Sequence, residues 1–172
     1  MYFRAMIKRC FRRLKGEEEG AAIVEYAILL PLFFLLIFGI IEMATIFWIE
    51  STLEQALQKV TRFTRTGDTV SGQTRLATAR GLIDEYTFDT GVIDPSQVVL
   101  TVKPYASFSA IPDDLPTDGT VSFGNPGQPV VYTLSYEWTL FTGFIANAMG
   151  LSDGKITLRA SEIVINEPGG SS

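Results

Sequence analysis

The sequence contains no histidine and a single cysteine, Cys10, in 172 residues. Without imidazole there is no Ser-His-Asp triad, no histidine general base and no common zinc site. One thiol closes no intrachain disulfide. Phosphate-binding loops, a G-x-G-x-x-G turn, a C-x-x-C pair and a serine nucleophile elbow are absent as well. The adjacent carboxylates Asp84-Glu85 and Asp113-Asp114 point apart on any regular element, so neither makes an acid–base pair. Asp113, Asp114 and Asp118 share one segment but lack EF-hand spacing, and a solvated loop is the simpler reading. The expectation is a chain that is not an enzyme and holds no metal or cofactor.

Positive charge is scarce outside the first twenty residues. Residues 1–20 carry Arg4, Lys8, Arg9, Arg12, Arg13 and Lys15 against Glu17, Glu18 and Glu19, a net +3. The rest carries 8 basic and 16 acidic residues, a net −8. An acidic body is a poor ligand for nucleic acid, because phosphate contacts need Lys and Arg. No nucleic-acid partner is expected. A basic end beside an apolar run marks the cytoplasmic side of a membrane.

That run is the main feature present. Tyr26 to Ile41 is uncharged for 16 residues, with Glu25 just before it and Glu42 just after. Ala21 to Ile49, as a helix, is about 43 Å long, and a span needs ~20 mainly apolar residues. The two glutamates are roughly 25 Å apart along such a helix, so both sit near the ends of a span. Trp48 and Phe47 fall where aromatics gather at the far interface. A secretory peptide removed on the far side is the rival, but the small-x-small site expected after the run is missing. The reading is a retained anchor over 21–49, with residues 1–20 cytoplasmic, the body outside and lipid as a partner. Glu42 reads as an interfacial acid with no assigned role. Pro31 deletes one backbone hydrogen bond within the run.

The junction itself, Gly20-Ala-Ala-Ile-Val-Glu25-Tyr26, is a glycine, four residues, then Glu-Tyr. It resembles the processing site of type IV prepilins of the tight-adherence (Tad, Flp) class. The anchor "LPLFFLLIFGIIEMATI", the segment "KVTRFTRTG", the strand "VVYTLSYEWTLFTGF" and the ending Asn166-Glu167-Pro168 resemble TadE-type pseudopilins in particular. Residues from about 68 to 128 match nothing in that pattern. The resemblance implies cutting between Gly20 and Ala21 by a prepilin peptidase at the cytoplasmic face. It implies a role for Glu25 in pairing with the new amine of a neighbouring subunit. As partners it implies other minor pseudopilins, the major Flp pilin and an assembly platform in the bacterial inner membrane, with the body periplasmic. Glycine and two alanines suit an extended, small-residue junction for the peptidase. Glu17 to Glu19 depart from the more usual basic run. The alternative is an unprocessed, single-pass anchored binding or sensing module.

Beyond the span, Ile49, Leu53, Ala56, Val60 and Phe63 step by four and three, a helical stripe. The membrane helix is therefore expected to run on to about Arg65, with Gly67-Asp68 as its stop. Leu76, Ala79, Ile83 and Tyr86 predict a second helix within 72–88. "SQVVLTVKP" and "PVVYTLSYEWTL" predict strands, the latter alternating Val130, Tyr132, Leu134, Tyr136 and Trp138. Residues 104–129 hold five of the eight prolines, a long loop read as mobile or functional. "FIANAMGL" predicts a short helix or turn. "GKITLRASEIVINEP" predicts a third strand with a bulge or two covered faces, since Ile156, Leu158 and Ala160 oppose Ile163 and Ile165. "GGSS", residues 169–172, reads as a frayed tail. The fold class is α+β: a long N-terminal transmembrane helix continuing into a domain at 50–168 with a second helix and an antiparallel sheet of about three or four strands. A pilin-like body is what the resemblance implies.

Overall fold

In the computed structural model the described residues are 18–65, 72–88 and 91–167. Residues 1–17 of the basic leader with Cys10, Gly67-Asp68, Pro168 and the 169–172 tail lie outside them. The chain divides into two compact units, residues 1–41 and 42–172.

Helix α1 runs from Glu18 to Arg65, 48 residues, with Pro31 inside it. In the first unit nearly every large apolar side chain from Ile23 to Ile41 is exposed. The most apolar window of the helix is only 6% buried at a mean hydropathy of 2.5. A core helix would be covered by its own chain; this one fits a single-pass membrane protein.

In the second unit, α1 buries Ile46, Ile49, Leu53, Ala56, Leu57 and Val60. The stripe then continues through Thr64, not Phe63: Thr64 is buried and Phe63 is 39% exposed. Val60 to Thr64 is a step of four, and the threonine hydroxyl is satisfied by donating to the Val60 carbonyl at 2.8 Å. A back-bonded hydroxyl can therefore hold a position that the sequence suggests for phenylalanine.

Helix α2 spans Arg75–Phe88. It buries Ala79 and Ile83 and packs Tyr86 at the edge of the core. Leu76, expected on that face, is 41% exposed. Lys59 of α1 lies over the Tyr86 ring at 5.7 Å, so its stem and charge cover the aromatic.

Three strands follow: β1 (Val99–Pro104), β2 (Pro129–Thr139) and β3 (Lys155–Ile165), with a short helix α3 (Gly143–Ala148) between the last two. The sheet is antiparallel in the order β1-β2-β3. Its even-numbered face carries Leu100, Val102, Val130, Tyr132, Leu134, Leu158, Ala160 and Val164 into one cluster with the helices.

β3 contains no bulge. Its register with β2 is unbroken from Pro129↔Ile165 to Thr139↔Lys155, and its burial alternates throughout. The misleading residue is Glu162, which occupies an inward position. It accepts a hydrogen bond from Thr61 Oγ1 at 2.7 Å, so a carboxylate stands where the pattern demands an apolar side chain. Ile163 and Ile165 simply face outward, each about half-exposed.

The proline-rich loop is pinned across the odd-numbered face. It leaves β1, forms a parallel bridge beside it at Val121, and reaches β3 on the far side of β2. Asp118 pairs with Lys103 of β1 at 2.6 Å and Asp114 with Arg159 of β3 at 3.2 Å. Gly119 N–H donates to Thr101 Oγ1 at 3.0 Å. Thr101, Val131 and Thr133 are buried accordingly. Gly124 has φ +67, and a Cβ there would meet Pro104 Cβ at 2.6 Å. Only glycine fits that approach.

Candidate functional site

The proposed processing residues lie together at the start of α1. The helix already includes Gly20 and Ala21, so the junction is helical in the free chain and not extended. The reason is local: Ala21 and Ala22 are the best helix formers, and one glycine costs only about 1 kcal/mol. Ala21, Glu25 and Tyr26 are all exposed. Ala21 and Glu25 are one turn apart and share a face, with Cβ atoms about 5–6 Å from each other. An amine created at Ala21 would therefore begin the helix one turn below the Glu25 carboxylate, on the same side. Anionic groups near a helix start are also favoured by its dipole.

The other end of the uncharged run is built differently. Glu42 is completely buried. Its Oε1 accepts from the backbone N–H of Phe141 at 2.9 Å. Its Oε2 accepts from the backbone N–H of Thr142 at 3.0 Å and from the Thr142 hydroxyl at 2.7 Å. Thr142 is the N-cap residue of α3, yet its side chain does not cap that helix; the hydroxyl turns to Glu42 instead. Three donors on one carboxylate are enough to hold it without water. Glu42 is thus a clamp between α1 and the segment after β2, a role that the sequence left unassigned. The sequence marks it only as an acid among apolar residues, and the partners lie about a hundred positions away.

A second clamp uses the Asn-Glu ending. Asn166 is buried, and its Nδ2 donates to the Phe123 carbonyl at 2.6 Å and more weakly to Asn125 at 3.4 Å. Gly127 N–H donates to the Asn166 carbonyl at 3.0 Å. Glu167 pairs with Arg65 of α1 at 3.1 Å. These contacts tie the end of β3 to the last turn of α1 and to the 123–128 segment. Between them lies a cavity of about 160 Å³ lined by Thr64, Arg65, Arg75, Asn125 and Asn166. Burial pushes the Tyr132 phenol pKa up.

Among the described residues no group of three or more acidic, histidine or cysteine side chains clusters as metal ligands would. Two of the three aspartates in the proline-rich loop are committed to Lys103 and Arg159. Hydrogen bonds from Lys103 and then the Thr120 backbone hold Asp118 well below the usual range, at about 2.

A protein-family model for TadE-like proteins matches residues 20–62, from the junction glycine to the last turn of α1. Residues 20–62 are TadE-like. The match covers 43 of the 172 residues and likens that segment to TadE-like proteins. Searches of curated proteins and of solved structures return no match. The TadE-like segment contains Gly20, Ala21, Glu25, Tyr26 and Glu42 alike. It also contains α1's apolar stripe from Ile46 to Val60.

Proposed function

We propose that the chain is a pseudopilin-type membrane protein that is cut between Gly20 and Ala21 by a prepilin peptidase and acts in assembly of a Tad/Flp-type pilus. The observation that carries this reading is the Gly20-x4-Glu25-Tyr26 frame at the exposed start of an uncovered apolar helix, inside the TadE-like match. Hydrolysis of the Gly20–Ala21 bond adds water, releases the +3 leader and leaves an amine on Ala21. An uncompensated carboxylate in hydrocarbon costs several kcal/mol. Glu25 therefore favours docking beside an amine, and a neighbouring subunit's Ala21 supplies one. The role is structural and non-catalytic. The anchor lies in the bacterial inner membrane with residues 1–20 cytoplasmic and the 42–167 body periplasmic. Its partners are the peptidase, other minor pseudopilins, the major Flp pilin and the assembly platform.

The test is an intact-mass measurement on chain made in cells with and without the matching peptidase. The expected product begins at Ala21, and Gly20→Trp keeps the leader attached. Uncut chain in the presence of active peptidase, with surface piliation unchanged by Gly20→Trp, would instead favour an unprocessed anchored module.

A further inference from the structure

The Glu42 clamp carries a consequence for the segment that it holds. Trp138 to Ser152 contains no charged residue. Within it Phe141, Phe144 and Met149 are at least half-exposed, with Phe144 at 63%. Large apolar side chains so uncovered on so short a piece of chain mark a contact surface. Phe141 is held edge-on to Trp138 at 5.1 Å, and its backbone N–H is fixed on the Glu42 carboxylate. Glu42 is the first residue after the uncharged run of α1. Phe141 is therefore held at the level where that run ends. Phe47 and Trp48, one to two turns on along α1, are exposed too. Charge returns at Glu50 on the helix and at Asp153 and Lys155 after the segment. Aromatic and apolar side chains at one level, with charges beyond, are the pattern of a membrane–water interface.

We propose that the Phe141–Met149 segment is a second membrane contact, in which Phe141, Phe144 and Met149 enter the headgroup–acyl boundary of the leaflet that α1 exits. This rests on α1 being a membrane anchor. Lipid is the occupant because α1 already presents an uncovered apolar surface up to the residue that clamps the segment, so the contact continues the anchor's own. A short amphipathic piece binds such a boundary weakly alone. Here the anchor removes the cost of bringing it to the surface, as linked binding sites do.

The test uses the full chain in liposomes, with Cys10→Ser as background. Single cysteines replace Phe144, Met149, Gln58 and Phe34, each carrying an environment-sensitive fluorophore, with lipids nitroxide-labelled at the headgroup, shallow acyl or deep acyl position. Gln58 is exposed and about 24 Å beyond Glu42 along the helix. The expected result is blue-shifted emission at Phe144 and Met149, quenched by headgroup and shallow labels, with Gln58 unquenched and Phe34 quenched by deep labels. Phe144 and Met149 probes that behave like Gln58 overturn the proposal while the Phe34 result upholds the anchor. Shielding that depends on protein concentration and not on lipid labels assigns the surface to a second copy and also overturns it. An unquenched Phe34 overturns both the contact and the anchored reading.

Discussion

Glu42 holds Thr142 by two bonds to one oxygen: Oε2 accepts the Thr142 backbone N–H at 3.0 Å and its hydroxyl at 2.7 Å. With Phe141 on the other oxygen, the carboxylate joins helix α1 to the segment after β2. Replacing it by alanine strands three donors in a buried site. Glu42→Ala should destabilise the body by about 2–5 kcal/mol. Thr142→Val removes one donor and should cost about 1 kcal/mol. Chemical unfolding of the full chain in detergent, followed by Trp138 fluorescence, reads both. A Glu42→Ala loss no larger than that of Thr142→Val would show that the clamp contributes little.

The helix face makes a sharper contrast. Leu53 is fully buried, and Leu76 is 41% exposed. Leu53→Ala should cost about 2–5 kcal/mol through lost burial and the cavity left behind. Leu76→Ala should stay within about 1 kcal/mol, as for partly exposed sites. Equal losses in the same unfolding experiment would contradict the face assigned to α2.

Asn166 and Glu167 are adjacent but should behave differently. Asn166→Ala leaves the half-buried Phe123 carbonyl without its donor and should cost about 1–3 kcal/mol. Glu167→Gln breaks only a solvent-exposed pair with Arg65 and should cost less than about 1 kcal/mol. Comparing their unfolding midpoints checks which residue of the ending carries the closure.

Asp118 gives the proline-rich loop a pH dependence. Its pKa in the folded chain is about 2, below the ordinary 3.8. A depressed carboxyl stabilises the folded form above its unfolded value, and that contribution is lost as pH falls through the folded one. Amide exchange at Gly119 and Thr120 should therefore quicken as pH drops from about 4 towards 2, beyond the intrinsic pH effect on exchange. Asp118→Asn should remove that extra quickening. If it persists unchanged in Asp118→Asn, the Lys103 pin is not its source.

Much was legible from the chain alone. The long apolar run, its continuation along α1 to Arg65, and the alternation of β2 follow from periodicity, because one face of each element must leave water. The second helix and the strand count follow for the same reason. The Gly20-x4-Glu25-Tyr26 frame is contiguous in sequence, and the family match covers it. Where the reading erred, a polar side chain stood in an inward position. Thr64 satisfies its hydroxyl on its own helix, and Glu162 is satisfied by Thr61 across the core. Apolar periodicity has no sign for a partner one hundred residues away.

The sequence by itself determined the long apolar helix, the Gly20–Tyr26 frame and the order of helices and strands, since each depends on residues a few positions apart. Only the tertiary structure decided what Glu42, Asn166 and the 104–129 loop do. Their effects come from donors and acceptors that folding brings within 3 Å or so of each other, and such pairings exist only once the core has fixed the sheet register. Glu42 is the clearest case. In sequence it is an acid just after an apolar run, and in the fold it is the buried acceptor that fastens the segment after β2 to helix α1.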